Sequence, residues 1–279
     1  MRINYALFFV DAFGYPLAFS LISTSTIMPL LLTNLGASNL AIGLVPALQS
    51  FGSLLPGIFI APYLGRRPTR KRTLVGLGLL ERLFILSMAG VVMMWGLARP
   101  SLAVRLFLAA WTLASLTQGV NMTVYYSILP KCIPPDMRGG LFGWAGALSG
   151  LLGIVGAETA GYVLGNVEFP QSFVRLFVIA FALLVASLVP FLWLREPPDE
   201  EAGEPRSVSQ FIAAASRELR EDKAYVWTIV ALAVMAFAMS AASFYSTYAV
   251  RAFGAGTRDV GRITAFAVGT TVIAMPVLG

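Results

Sequence analysis

The chain has 279 residues, 57% of them hydrophobic and 12% charged, against about 25% charged in a soluble globular domain; a water-soluble enzyme or binding domain is excluded. The net charge of +6 does not indicate nucleic acid, because the cations gather between long apolar runs, where anionic headgroups and the orientation rule account for them. With no histidine and a single cysteine, Cys132, the chain can form no internal disulfide and lacks the usual metal ligand and general base, so neither a metal nor a cofactor is expected.

Apolar runs long enough to cross about 30 Å of hydrocarbon recur along the whole length, which predicts a polytopic, all-α integral membrane protein. Span 1 is expected over Tyr5–Leu32, with Asp11, Tyr15 and Pro16 inside it and the polar cluster Ser23, Thr24, Ser25, Thr26 before Pro29. It continues past Thr26 without a small-residue cleavage site, so it reads as mature structure rather than a signal peptide. Span 2, Leu40–Leu64, contains Pro46 and Pro56, read as kinks rather than breaks. A basic segment, "GRRPTRKR" at Gly65–Arg72, follows, and its five cations Arg66, Arg67, Arg70, Lys71 and Arg72 mark the cytoplasmic side, since each costs roughly 2.5–3.5 kcal/mol at a helix centre in the bilayer.

Span 3, Thr73–Ala98, carries Glu81 and Arg82, and span 4, Leu102–Ile128, carries Trp111, Thr112, Ser115, Gln118, Asn121 and Tyr125. The link "PKCIPPDMRGG" has three prolines and is expected to be non-helical. In span 5, Gly139–Gly165, the pairs Gly139/Gly143, Gly146/Gly150 and Gly161/Gly165 are each four apart, a spacing that lets another helix approach. Span 6 is expected over Phe173–Leu194. Residues 195–223 then form an acidic, proline-containing linker, in which Val208, Phe211, Ile212, Ala215 and Leu219 repeat at helical spacing opposite Arg217, Arg220 and Glu221. Ser207 and Gln210 offer a capping box, and the segment reads as an amphipathic helix on the cytoplasmic surface. Span 7 is expected over Ala224–Val250 and span 8 over Gly261–Gly279. With the N-terminus cytoplasmic, thirteen Lys and Arg fall inside and six outside, which favours that orientation.

An internal repeat ties the two ends together. At an offset of 218 residues, Gly36, Ala37, Gly43 and Ala47 fall on Gly254, Ala255, Gly261 and Ala265, each set at the junction after the first span of a half. Six spans, a cytoplasmic linker and the start of a repeat form a transporter's plan.

In this plan the sequence resembles the major facilitator superfamily, usually two six-helix bundles joined by a long cytoplasmic loop. Its signature between spans 2 and 3, Gly-x-x-x-Asp-Arg-x-Gly-Arg-Lys, is kept here at Arg67, Arg70 and Lys71 and lost at Pro62, Arg66 and Thr69. Arg66 reverses the charge of the Asp that in the family helps latch the two bundles. Pro134, Arg138 and Gly139 resemble the family's Pro-x-x-x-Arg-Gly turn. Gln118 and Gly119 match the antiporters' Arg-x-x-Gln-Gly, but Ser115 stands for its Arg and span 5 lacks their Gly-Pro step, which points away from multidrug/proton antiport. The resemblance implies residues 1–194 as an N-terminal six-helix bundle, 195–223 as the linker, and 224–279 as the first two helices of a truncated second bundle.

The candidate residues follow. Asp11 lies about 10 Å into span 1 and Arg82 about 14 Å into span 3 from the same side. Asp11 therefore reads either as a proton carrier or cation ligand, or as the partner of Arg82 in a structural charge pair. Glu81 and Arg82 point about 100° apart and are expected to serve different partners. Glu158, near the outer end of span 5, reads as a second proton-coupling candidate or as a solvated mouth residue. On span 4, Ser115, Gln118, Met122 and Tyr125 share a face and with Trp111 would form an amphipathic wall for an organic solute, or hydrogen-bond between helices. By the repeat, Ser240, Ser243 and Thr247 on span 7 map onto Ile22, Ser25 and Pro29; the resemblance implies that the first helices of both halves line the cavity, which adds Tyr15 and Ser25.

An enzyme is not expected. The string "ALSG" at Ala147–Gly150 is reminiscent of intramembrane serine proteases, but a Ser–His dyad is impossible without histidine. Neither paired intramembrane aspartates nor a phosphate-binding loop occurs. The expectation is a multi-pass secondary transporter of the plasma or inner membrane, a permease or exporter moving a small organic solute, with protons as a candidate coupling ion. The alternative is a non-transporting scaffold or receptor on a transporter fold.

Overall fold

A computed structural model of the protein describes residues 2–64, 67–199, 208–231 and 234. Among these residues the regular structure is entirely helical, and five helices are long and apolar enough to cross a membrane: Asn39–Leu64, Lys71–Trp95, Pro100–Cys132, Pro135–Asn166 and Gln171–Trp193.

The first expected span is divided. Helix α1 (Arg2–Leu21) stops before the hydroxyl cluster, and α2 (Ile27–Asn34) begins after it. Ser23 and Ser25 bond each other at 2.9 Å, and the Ser25 N–H donates to Ser23 Oγ at 3.3 Å, so side chains compete with the helical ladder. Pro29 has no N–H to return to Ser25, four residues back. Helix α2 ends on Gly36, whose φ of +71° lets the N–H groups of Gly36 and Ala37 cap Thr33 and Leu32 at 2.9 Å each. That pairing is a Schellman motif, and it needs the left-handed residue.

Helix α3 (Asn39–Leu64) keeps its helical path through Pro46, Pro56 and Pro62. Helix α4 (Lys71–Trp95) follows the basic segment, and α5 (Pro100–Cys132) starts with proline in its first turn, where the missing N–H costs nothing. The three-proline link is far shorter than expected. Helix α5 runs through Pro130, and α6 (Pro135–Asn166) begins at the third proline, which leaves Ile133 and Pro134 as the only break. Arg138 fastens the corner, donating to the carbonyls of Ile133 at 2.9 Å and Pro130 at 3.0 Å. Helix α7 (Gln171–Leu188) tightens into a 3-10 turn at Val189–Trp193. The amphipathic helix α8 (Val208–Glu221) forms as expected and packs on α3. Residues 223–231 are helical, in keeping with the start of span 7; the rest of that span and span 8 lie outside the described residues, as do Ser207 and its cap.

The helices pack α3 on α5, α5 on α4, α4 on α7, α7 on α1 and α1 on α6. Three crossings rest on small residues. A Cβ on Gly119 would strike the carbonyl of Gly52, and one on Gly52 would lie 2.6 Å from Ser115, so α3 and α5 meet backbone to backbone. Gly14 receives Ser187 of α7, and Gly156 receives Ser20 of α1. One of the three expected pairs in span 5 plays no part in packing: Gly161 and Gly165 face open space, whereas Gly156, outside the four-residue pairs, meets α1.

Two apolar clusters fill the interior. One contains Ala18 and Leu21 of α1, Ile85 and Met88 of α4, and Phe107 and Trp111 of α5. The other contains Phe8, Leu74, Val124, Ile128, Leu188 and Phe191. On α1, α4 and α5 a polar stretch separates the two: Asp11 to Tyr15, Glu81 and Arg82, and Gln118 to Asn121.

Candidate functional site

The polar layer opens into a cavity of about 290 Å³ lined by α1, α4, α5, α6 and the end of α7. Burial of charge at this level needs compensation, and Arg82 supplies most of it. Its guanidinium donates to Leu184 O and Gly78 O at 2.9 Å each and contacts Glu81 Oε2 at 3.3 Å. The bare Cα of Gly78 makes room, since a Cβ there would lie 3.3 Å from the guanidinium. Glu81 and Arg82 are 1% and 2% exposed.

This corrects the expectation that the two neighbours serve different partners. Their Cβ atoms do diverge, but Arg82 is long enough to fold back one turn onto Gly78, which brings its NH1 alongside Glu81. Of the expected Asp11–Arg82 pair only a longer-range attraction is present: among the described residues the contact ion-pair partner of Arg82 is Glu81, while Asp11 feels the Arg82 charge and has Ser187 within hydrogen-bonding reach.

A chain of hydrogen bonds joins three helices. Gln118 Nε2 donates to Tyr15 Oη at 2.6 Å, and that hydroxyl donates to Glu81 Oε1 at 2.7 Å. Arg82 also lies 5.7 Å from the Tyr15 ring centroid, close enough for a cation–π contact. The amide of Asn121 bonds Glu81, which leaves Asn121 Oδ1 buried with no partner.

Of the sequence candidates, the cavity gathers Asp11, Tyr15, Arg82, Gln118, Met122 and Tyr125. Met122 is 45% exposed. Trp111 and Ser115 do not line it: Trp111, 1% exposed, donates from Nε1 to Val45 O at 2.9 Å, and Ser115 sits at the α3–α5 crossing with its hydroxyl unpaired. They share a face with Gln118, but Trp111 lies about two turns and Ser115 about one turn away along the helix, where α3 covers it. Ser25 sits in the break between α1 and α2, and Glu158 is exposed on α6; neither reaches the cavity. Ser240, Ser243 and Thr247 lie outside the described residues.

Sequence reasoning missed Glu81, Asn121, Tyr126, Phe142 and Phe191 as lining residues. Asn121 could have been found, standing three residues from Gln118 and four from Tyr125. Phe191 comes from a 3-10 turn with no periodic signal.

At the end of the bundle carrying the basic segment, the acidic linker docks. One Glu196 carboxylate oxygen accepts the backbone N–H groups of both Arg70 and Lys71 at 2.7 Å, capping the N-terminus of α4. Arg70 pairs with Asp199 at 2.7 Å, and Lys131 with Glu196 at 3.2 Å and Asp199 at 2.8 Å. Lys71 Nζ donates to Leu192 O at 2.6 Å, and Arg67 to Thr73 Oγ1 at 3.3 Å. Asn4 completes the clamp, exchanging hydrogen bonds with the backbone of Arg195 at 2.8 and 3.1 Å. Arg66 lies outside the described residues.

No curated protein matches the chain. A bundle of apolar helices around a buried polar cavity is the architecture of a membrane transporter, and the Major Facilitator Superfamily matches residues 8–279; the chain belongs to that superfamily.

Proposed function

We propose that the chain is a secondary active transporter that moves a small organic solute by alternating access, with Asp11 as the group that couples protons to the movement. The observation that carries this reading is the Asp11 carboxyl at the wall of a cavity between two apolar layers. An intramembrane carboxyl of this kind marks a solute or proton path. The Glu81–Arg82 pair and the Tyr15–Gln118 chain form a fixed polar wall, against which a solute would be held by Gln118, Asn121, Met122 and Tyr125.

In this reading residues 1–194 form the first bundle, 195–223 the cytoplasmic linker and 224–279 the start of the second. The N-terminus is cytoplasmic in the cell membrane, as the distribution of Lys and Arg favours. The two halves rock about the central site without a covalent step.

The test is flux in proteoliposomes containing the full chain, under an imposed pH gradient and across a broad panel of solutes. Solute flux that follows the gradient is expected, with Asp11→Asn abolishing the gradient dependence. Unchanged pH-dependent flux in Asp11→Asn removes the coupling role, and no flux across the panel favours a scaffold or receptor.

A further inference from the structure

The charge and hydrogen-bonding state of the cavity identifies the class of solute. Among its lining residues are two carboxyls, Asp11 and Glu81, and one guanidinium, Arg82. Both oxygens of Glu81 are engaged, one by Tyr15 and the other by Arg82. Arg82 turns its Nε and one terminal nitrogen onto two backbone carbonyls and Glu81 and is almost fully buried, so its charge is already largely met within the wall. Two carboxyls face one guanidinium, and Asp11, which feels Arg82 but does not form its contact ion pair, carries the excess formal negative charge. A second group on the wall lacks a partner: Asn121 Oδ1 is buried and unbonded, and because the Asn121 amide is committed to Glu81, the free atom is an acceptor. Asn121 Oδ1 calls for a donor, and Asp11, which keeps acceptor capacity beyond its Ser187 bond, calls for positive charge as well. The remaining wall is aromatic, with Tyr125, Tyr126, Phe142 and Phe191, whose ring faces favour a cation beside an apolar body.

We propose that the solute is an organic ammonium, a protonated amine on an apolar body, whose N–H groups bond the Asp11 carboxylate and Asn121 Oδ1. An anion would add to the excess negative charge in a low-dielectric site, and a neutral solute would leave the Asp11 carboxylate desolvated with only its share of an Arg82 charge already paired with Glu81. A cavity of about 290 Å³ lies at the small end of the roughly 300–1,000 Å³ range of ligand pockets, which fits a body of about one ring. This inference rests on the transport reading for its biological meaning, but binding tests it separately.

The experiment is equilibrium binding of radiolabelled 2-phenylethylammonium to the full chain in nanodiscs at neutral pH. The competitors are uncharged 2-phenylethanol, anionic phenylacetate and the N,N,N-trimethyl derivative of the amine. The ammonium is expected to outcompete the alcohol and the carboxylate by tenfold or more and the trimethyl derivative by severalfold, because the last has charge but no N–H. Asp11→Asn is expected to lose tenfold or more in affinity, and Asp11→Glu to retain binding. Equal competition by alcohol and ammonium, or preference for phenylacetate, overturns the proposal without any variant. Equal binding of the trimethyl derivative overturns the role of Asn121.

Flux of the same compounds in proteoliposomes separates the two readings. Flux of a neutral or anionic solute with no ammonium binding overturns the solute class and leaves the transporter. Ammonium binding with no flux of any solute supports the site and overturns transport.

Discussion

The Tyr15 hydroxyl on α1 donates to the Glu81 carboxylate on α4 at 2.7 Å, 66 residues away in sequence, and this contact joins the fixed polar wall to the helix that carries Asp11. Tyr15 also accepts from Gln118 of α5 at 2.6 Å, so one hydroxyl ties three helices together.

Tyr15→Phe removes that hydroxyl and leaves a Glu81 oxygen and the Gln118 amide without their partner. Each unsatisfied buried group costs about 1–3 kcal/mol. The variant is expected to melt several degrees below the parent in detergent, and Gln118→Leu, which leaves the Tyr15–Glu81 bond in place, to melt higher than Tyr15→Phe. Thermal unfolding followed by size-exclusion chromatography measures both.

Arg82→Met leaves Glu81 charged without its ion-pair partner in the interior. Breaking a buried pair from one side costs about 3–5 kcal/mol, so little folded protein is expected. The double replacement Glu81→Gln with Arg82→Met removes both charges and is expected to recover folded yield relative to Arg82→Met alone. Additive losses in this double-mutant cycle would show that the pair is not coupled.

Glu196→Gln weakens the cap on α4 and the pairing to Lys131. The Glu196 side chain is 2% exposed and that of Asp199 is 28% exposed, so solvent screens the second more. Glu196→Gln is therefore expected to lose more thermal stability than Asp199→Asn, by about 1 kcal/mol. The linker ahead of Glu196 should also become more open to limited proteolysis.

At the α3–α5 crossing, Gly119→Ala drives a methyl group into the Gly52 carbonyl and is expected to abolish folding. Gly161→Ala, with open space around it, is expected to be neutral or mildly stabilising through helix propensity. Ser115→Ala removes a buried hydroxyl that has no partner and is expected to raise the melting temperature slightly. Folded yield and melting temperature of the three variants side by side check the order.

Much of the architecture was legible in sequence. The ends of α3 and α6 fall within a few residues of their expected positions, because apolar length and flanking prolines are local properties of the chain. The division of the first span was visible only as a polar cluster before Pro29. Whether that cluster breaks a helix depends on the bonds its hydroxyls find, and in the structure Ser23 and Ser25 find each other.

The site was legible in part. Gln118, Met122 and Tyr125 were readable from one helical face, but Trp111 and Ser115 share that face and belong to packing. Periodicity gives a residue's direction around its helix, and the neighbour it meets depends on where another helix crosses.

The sequence by itself determined that this protein is helical and membrane-embedded, that the basic segment separates α3 from α4, and that Asp11, Glu81 and Arg82 are charges carried at membrane depth. Those follow from composition and the cost of charge in hydrocarbon. Only the tertiary structure decided that Arg82 turns to Glu81, that Asp11 lies on the cavity wall beside them, and that Glu196 caps α4 across 125 residues of chain. Each depends on which groups meet once the helices are packed, and that packing rests on close approaches a sequence does not display, such as the backbone contact that Gly52 and Gly119 allow between α3 and α5.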